Sequence, residues 1–248
     1  MALIDYEVKD KIAYITLNRP EKRNALNEEM FNELMDACKR CNDDPDVWVG
    51  ILSGNGPCFC SGIDLVDPRL GIRVDEVYLG VRGVKKPLIA AVHGYALAQG
   101  AGIMLSCDIR VAAENTKIGW AQVSRGISSI SGPTFAYHWL PKNWACEYAF
   151  SAEFFDAKDA YERFQIINRV VPQDKLIATA EEIAHKISAN APLAVQAMKQ
   201  AMMLGEDMNF KQRLQTATLV FLQVLDTEDA KEGVRAFQEK RKPVFKGK

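Results

Sequence analysis

Two glycine-rich segments contain the residue types best suited to presenting backbone amides to a ligand. The first is "YALAQGAGIML", residues 95–105, which carries no charge, and the second is "CFCSGIDL", residues 58–65. Gly100 and Gly102 predict a helix N-terminus at which small residues let a ligand approach backbone N–H groups. Two such groups converging on one oxygen would form an oxyanion hole. Close helix packing around small residues explains the same composition.

Four of the six cysteines have a spacing close to that of a zinc site. Cys38 and Cys41 form a C-x2-C pair, and Cys58 and Cys60 form a C-x-C pair. Apolar residues recur with Cys38 at helical spacing, so this cysteine is expected on the buried face of a helix, and a strand separates the two pairs. We therefore expect buried, reduced thiols and no bound metal.

The composition predicts one soluble, globular chain with a sizeable core. It has 248 residues, 48% of them hydrophobic, and a net charge of -1, which gives no general attraction for nucleic acid or an anionic membrane. The N-terminus "MALIDYEVKD" lacks the features of a secretory signal, and no run of about 18 apolar residues is present. We expect a cytoplasmic protein with neither nucleic-acid nor membrane partners.

Strands and helices alternate through the first half of the chain, as in an α/β layer. The predicted elements are a hairpin (4–8 and 12–17), a helix (27–42), a strand (47–52), a Gly- and Cys-rich loop to about residue 68, a helix ending near 85, and strands at 88–92 and 109–113 around the helical segment 95–105. After about residue 131 the pattern is helical almost throughout. "TATLVFLQVL" is apolar on more than one face, which favours an oligomer.

Four segments resemble the crotonase (enoyl-CoA hydratase/isomerase) superfamily, in the same order along the chain. They are "LNRPEKRNALN" (17–27), "FCSGIDL" (59–65), "KKPLIAAVHGYALAQGAGIMLSCDIRVAAE" (85–114) and "EGVRAFQEKRKPVF" (232–245). The resemblance implies a crotonase-type ββα spiral core (1–190) and a C-terminal helical trimerisation region (191–248) in one continuous unit. It also implies an acyl-CoA substrate, with coenzyme A as part of the thioester rather than a permanent cofactor, and a homotrimer or dimer of trimers.

The resemblance further implies roles for individual residues. The backbone N–H groups of Ile63 and Gln99 are expected to hold the thioester oxygen and to stabilise an enolate there. Phe237 and Lys240 match positions that reach the nucleotide of a neighbouring subunit. The full set of residues expected to bind CoA is Lys22, Arg23, Ala25, Leu26, Ser61, Asp64, Leu65, Phe237 and Lys240.

Both catalytic glutamates of the family's hydratases are missing by this alignment. One falls on Gly102 and the other on Gln122, and neither can exchange a proton near neutral pH. Asp67 is the acid to test as a substitute base, with a solvated loop carboxylate as the alternative, whereas Asp64 matches a structural aspartate. Ser129 belongs to a serine cluster without an evident His or acidic partner, so we expect it to cap a helix or bond a substrate oxygen.

Three functions are compatible with these features. The first is an enzyme that stabilises a thioester enolate during decarboxylation, C–C bond hydrolysis or isomerisation. Decarboxylation suits a site without the glutamates, because loss of carbon dioxide generates the enolate without a base. The second is a specialised or weak hydratase for a cyclic or aromatic-derived acyl-CoA. The third is a catalytically silent CoA-binding subunit.

Overall fold

The structure is a computed structural model that describes residues 2–67 and 73–248. In these residues the strands are β1 (Ile4–Lys9), β2 (Ile12–Leu17), β3 (Val49–Gly54), β4 (Leu88–Val92), β5 (Tyr95–Leu97), β6 (Ile109–Ala113), β7 (Lys117–Gly119), β8 (Phe154–Asp156) and β9 (Arg169–Val171). The helices are α1 (Glu28–Asp43), α2 (Val74–Arg82), α3 (Gln99–Ser106), α4 (Tyr137–Trp139), α5 (Lys142–Ser151), α6 (Ala157–Glu162), α7 (Leu176–Ser188), α8 (Pro192–Leu204), α9 (Phe210–Val224) and α10 (Glu228–Gln238).

The strands form two sheets. The larger has the order β1-β2-β3-β4-β6-β9, in which β1 and β2 form an antiparallel hairpin and every later pair is parallel. The smaller has the order β5-β7-β8, with β5 parallel and β8 antiparallel to β7. The predicted α/β class is confirmed.

The central strand β4 is buried on both faces, as expected of a parallel strand between helical layers. Leu88, Ala90 and Val92 join a core that includes α1, α2 and α3, whereas Ile89 and Ala91 join a second core covered by α7. This alternation follows from the two-residue period of a strand. The sheet thereby fixes the start of α3, which follows β4 and β5 directly.

Most predicted elements are confirmed, with local differences. β3 begins two residues later than predicted, because the Val47 N–H bonds the Asp44 carbonyl in the preceding turn (3.2 Å) and pairing with β2 starts at Val49. In the segment 95–105, Tyr95–Leu97 pairs with β7 as an unpredicted strand, and the helix begins at Gln99, next to the helix N-terminus predicted at Gly100. Pro68, at the predicted end of the Gly- and Cys-rich loop, lies outside the described residues.

The C-terminal helices α8 and α9 carry an exposed apolar surface. Lys199 of α8 donates to the Asp108 carboxylate (2.6 Å), and this pair ties the helix to the core. The large exposed apolar side chains of α8 and α9 include Met198, Met202, Leu219, Phe221 and Leu222. The predicted boundary at 190/191 lies between α7 and α8, and the division into two parts stays a prediction. Among the described helices, none is both long and apolar enough to cross a membrane.

Candidate active site

A pocket of about 640 Å³ lies where the two glycine-rich segments meet. Its lining comes from residues within 61–67, 97–99 and 121–130, together with Arg23 and Phe154. Two isolated bridges, Leu26 with Ile63 and Cys60 with Ala96, hold the 58–65 segment between the start of α1 and β5. The segments that sequence analysis singled out separately are therefore neighbours in the fold.

Two backbone amides in the pocket lining have no protein acceptor. Within the described residues, neither the Ile63 N–H nor the Gln99 N–H donates a hydrogen bond, and both residues line the pocket. Gln99 is the first residue of α3, where the amide has no intrahelical acceptor. Both amides are therefore able to donate to an oxygen of a ligand in the pocket.

Each of these amides directly follows a residue with an unusual backbone conformation. Gly62 has φ +116°, and Ala98 has φ +53° with ψ -113°, a combination rarely adopted by residues with a side chain. A Cβ on Gly62 would lie 3.0 Å from the Ala98 Cβ, so the two positions touch. Hydrogen bonds hold Ala98 in place, from its N–H to the Gly119 carbonyl (2.9 Å) and from the Ser131 hydroxyl to its carbonyl (3.0 Å).

Gly102 leaves space that another side chain fills. A Cβ at this position would lie 2.4 Å from Cε1 of Tyr78 and 2.9 Å from the Ser131 Cβ. The Tyr78 ring meets Phe135 edge-on at a centroid distance of 5.1 Å, and burial raises the pKa of its hydroxyl to about 12. No described residue forms a hydrogen bond with this hydroxyl. The space into which a side chain at 102 would extend therefore holds a neutral phenol.

Gln122 is held by the serine cluster. Its Nε2 donates to the Ser129 hydroxyl (3.1 Å), which also accepts from the Gly132 N–H (2.9 Å) at the start of the following helical segment. The Ser131 hydroxyl accepts from the Trp120 indole (3.0 Å). The Gln122 Oε1 is buried without a hydrogen-bond partner in the described residues, so it is an acceptor available to a ligand.

The ionisable groups of the pocket differ in their surroundings. Arg19 donates to the Asp64 carboxylate (2.8 Å), which also accepts from the Val66 N–H, and these bonds hold the pKa of Asp64 below its usual value. The Asp64 carboxylate thus bonds groups of the protein itself. Asp67 lines the pocket as well, as do Arg23 and Arg125.

Five of the six cysteines are buried, and Cys146 is partly exposed. Burial raises the pKa of the Cys38 and Cys60 thiols to about 12, so neither is a reactive thiolate. Among the described residues no group of three or more His, Cys, Asp or Glu side chains has an arrangement that would hold a metal ion.

A sequence model of the Enoyl-CoA hydratase/isomerase family matches residues 7–248. The chain belongs to this family. The predicted crotonase fold is confirmed by solved structures, among them enoyl-CoA hydratase from Mycobacterium tuberculosis H37Rv, with a TM-score of 0.93 at 34% identity over 100% of both chains. The enoyl-CoA hydratase of Bacillus anthracis also has a TM-score of 0.93, at 30% identity over 99% of this chain and 100% of that one.

Similar crotonase sequences are named as hydratases. The (E)-benzylidenesuccinyl-CoA hydratase of Thauera aromatica is 35% identical over 98% of this chain and 99% of its own length. The enoyl-CoA hydratase EchA19 of Mycobacterium tuberculosis is 37% identical over 94% of this chain and 92% of its own. The chain is accordingly an acyl-CoA enzyme of the enoyl-CoA hydratase/isomerase family.

The fold brings most of the predicted site residues together. The pocket lining includes Arg23, Ser61, Ile63, Asp64, Leu65, Asp67, Gln99 and Gln122. The Ser129 hydroxyl contacts Gln122 and accepts from the Gly132 N–H, and its predicted roles stay predictions. Ala25 and Leu26 are buried, and the Leu26 N–H bonds the Gly62 carbonyl (2.8 Å). Their roles toward CoA stay predictions.

Three of the predicted residues lie apart from the pocket. Lys22 ends a short 3-10 turn and is exposed, while Phe237 and Lys240 are exposed at the C-terminal end of α10. None of the three lines the pocket in the single chain. The prediction that Phe237 and Lys240 serve a neighbouring subunit is untested.

Sequence analysis missed Tyr78, Arg125 and Phe154. Tyr78 lies on α2, and nothing in its local sequence points to Gly102 on another helix. Phe154 reaches the pocket through β8, a strand of three residues that was not predicted. The basic residue in "AQVSRG" was a visible signal for Arg125, because it lies three residues after a predicted site position.

Proposed function

We propose that this chain holds the thioester oxygen of an acyl-CoA between the backbone N–H groups of Ile63 and Gln99, and stabilises the enolate that forms there without the paired glutamates of an ordinary hydratase. The reactions that this proposal covers are decarboxylation, C–C bond hydrolysis and isomerisation. Two fixed N–H dipoles in a pocket stabilise an oxygen whose negative charge grows in the transition state. Both amides lack a protein acceptor, which supports this role.

The observation that carries the departure from hydratase chemistry is the packing at Gly102. The resemblance assigns one hydratase glutamate to this position, but the Tyr78 ring lies 2.4 Å from where the first side-chain atom would stand. The second assigned position holds Gln122, whose amide cannot remove a proton from water. Beside the proposed oxyanion hole, the site thus has the Gln122 amide and the Tyr78 phenol at the two places where a hydratase needs carboxylates.

Decarboxylation illustrates what the remaining groups must do. The bond between the α-carbon and the leaving carboxylate breaks, carbon dioxide departs, and the electron pair becomes the enolate held by Ile63 and Gln99. A proton must then reach the α-carbon. We propose Asp67 as the group that supplies or accepts protons, since its carboxylate belongs to the pocket lining.

A specialised hydratase for a cyclic or aromatic-derived acyl-CoA is the second candidate, favoured by the space near Gln122. A second cavity of about 370 Å³, lined in part by Trp120, Tyr137 and Phe150, shares Gln122 and Ser128 with the main pocket. The relative from Thauera aromatica is named for a benzylidenesuccinyl substrate. Bulky acyl groups fit such a divided pocket.

The proposal extends to the assembly and the compartment. The exposed apolar side chains of α8 and α9 support a homotrimer or a dimer of trimers, and the cytoplasmic location stays part of the proposal. CoA enters and leaves as part of the thioester. Light scattering of the purified protein measures the first point, and fractionation of cells measures the second.

The experiment mixes purified protein with crotonyl-CoA and with malonyl-type, cyclic-enoyl and aroyl CoA thioesters, while calorimetry measures CoA binding. We expect CoA to bind, crotonyl-CoA to remain unchanged, and at least one other thioester to react. Hydration of crotonyl-CoA at the rates of ordinary hydratases would refute the proposal. CoA binding without any turnover would favour the silent CoA-binding subunit.

A backbone variant tests the oxyanion hole separately. Gly62→Ala places a Cβ at φ +116° and 3.0 Å from the Ala98 Cβ, so it should displace the Ile63 amide. Loss of one donor lowers kcat by about 10²-fold or more in related chemistry. Gly247→Ala also adds a Cβ at a positive φ (+74°), but in the C-terminal tail, and should leave kcat unchanged.

A further inference from the structure

Arg125 introduces a cation into a wall of the pocket that otherwise carries no charge. It is the last residue of the 3-10 turn Gln122–Arg125. The other lining residues from 121–130, and Phe154 beside them, are apolar or uncharged. The Arg125 side chain is exposed to the pocket and solvent, and on this part of the lining it is the group that would attract an anionic part of a ligand.

No described residue supplies that anion. The Arg125 side chain makes no hydrogen bond or ion pair with any residue in 2–67 or 73–248. Neither of the pocket's two described carboxylates pairs with Arg125. Asp64 pairs with Arg19, and Asp67 has other interactions. Its donors are thus open to a ligand, and a carboxylate matches the planar fork of a guanidinium with two parallel hydrogen bonds.

The position of Arg125 points to the acyl group rather than to CoA. Residues i and i+3 of a 3-10 helix lie on the same face, about 6 Å apart along the axis, so Arg125 shares a face with Gln122. The pocket's other arginine, Arg23, belongs to the segment expected to bind CoA, and its carbonyl accepts from the Ser61 N–H (3.1 Å). The two cations thus lie on different segments of the lining.

We propose that Arg125 binds a free carboxylate on the acyl group, so that the substrates are CoA monothioesters of dicarboxylic acids. This inference rests on the proposed function only in that an acyl-CoA occupies this pocket. With the thioester oxygen at Ile63 and Gln99, the chain of the acyl group runs past Gln122, and its far end reaches the Arg125 guanidinium.

The test compares the binding of two saturated ligands by calorimetry, so that no turnover is needed. Glutaryl-CoA and valeryl-CoA have the same number of acyl carbons and differ in the terminal carboxylate. Wild-type protein should bind glutaryl-CoA about 10-fold or more tightly than valeryl-CoA, the size expected of a charge-assisted hydrogen bond. Arg125→Gln should abolish this preference and leave the Kd of valeryl-CoA unchanged, while Arg125→Lys should retain part of it.

The control variant is Arg23→Gln, which removes the pocket's other described cation. It should weaken glutaryl-CoA, valeryl-CoA and free CoA by the same factor. If Arg125→Gln also weakens all three equally, Arg125 contacts a CoA phosphate and the inference is wrong. It is equally wrong if the wild type binds both ligands alike. Hydration of crotonyl-CoA at ordinary rates, with the carboxylate preference intact, would overturn the proposed function alone.

Discussion

The contact between Gly102 and Tyr78 predicts that adding one methyl group at 102 destabilises the protein. In a helix, replacing Gly with Ala normally stabilises by up to about 1 kcal/mol. At Gly102 the new Cβ would lie 2.4 Å from Cε1 and 2.9 Å from Cζ of Tyr78, closer than real carbon contacts. Overpacking of this kind costs about 1–3 kcal/mol, so the clash outweighs the helix gain.

A second helical glycine provides the matched control. A Cβ on Gly233 in α10 would find its nearest neighbour, Cε1 of Phe245, at 3.7 Å, an ordinary contact. Gly233→Ala should therefore raise the free energy of unfolding by up to about 1 kcal/mol. The difference between the two variants, about 1–3 kcal/mol, isolates the contact at Gly102.

The assay is urea unfolding at one fixed protein concentration, because assembly makes stability depend on concentration. The same Gly102→Ala change is then made in a Tyr78→Ala background, where the ring is absent. There only the 2.9 Å approach to the Ser131 Cβ remains, so we expect the substitution to destabilise less, with a coupling of at least about 1 kcal/mol. An equal effect of Gly102→Ala in both backgrounds, or a stabilisation like that of Gly233→Ala, would refute the packing at Gly102.

Three further changes are expected to have measurable effects. Asn24→Ala should lower the free energy of unfolding by about 3 kcal/mol, because this fully buried side chain donates to two backbone carbonyl groups and accepts from one backbone N–H. Asn24→Gly, which suits the φ of +52° equally well, should lower it by nearly as much, as urea unfolding would measure. Arg19 lowers the pKa of Asp64, so the ionised Asp64 carboxylate contributes stability at neutral pH and loses that contribution as the pH falls. The difference in unfolding free energy between wild type and Asp64→Asn should therefore close below about pH 4. Lys199→Met should destabilise by about 3 kcal/mol by leaving Asp108 without its partner, and Lys199→Met combined with Asp108→Asn should recover part of that loss.

The sequence predicted the elements whose cause is local. The helix at α1 has an Asn27 cap and a regular apolar face, and β4 is a run of five buried residues. The strands β5 and β8 have three residues each and are defined by pairing with β7, so no local sequence pattern predicts them. Their existence depends on contacts between distant parts of the chain.

The candidate site divides in the same way. Gly62 signals a positive φ by its residue type, whereas Ala98 adopts one under the constraint of hydrogen bonds to Gly119 and Ser131. The structure is compatible with both explanations for the small residues of 95–105, close packing and a backbone presented to a ligand. Gly100 permits close packing, since a Cβ there would lie 2.3 Å from the Cys60 carbonyl oxygen, and Gln99 leaves its amide available to a ligand.

The carboxylate subsite at Arg125 bears on which enolate reaction the pocket favours. An ion pair with a carboxylate that leaves as carbon dioxide is present in the ground state and lost in the transition state, so it would raise the barrier to decarboxylation. An ion pair with a carboxylate that stays is equal in both states and fixes the position of the reacting carbons relative to Ile63 and Gln99. If Arg125 binds the acyl carboxylate, isomerisation or C–C bond hydrolysis of a dicarboxylic thioester therefore fits the pocket better than loss of that same carboxylate.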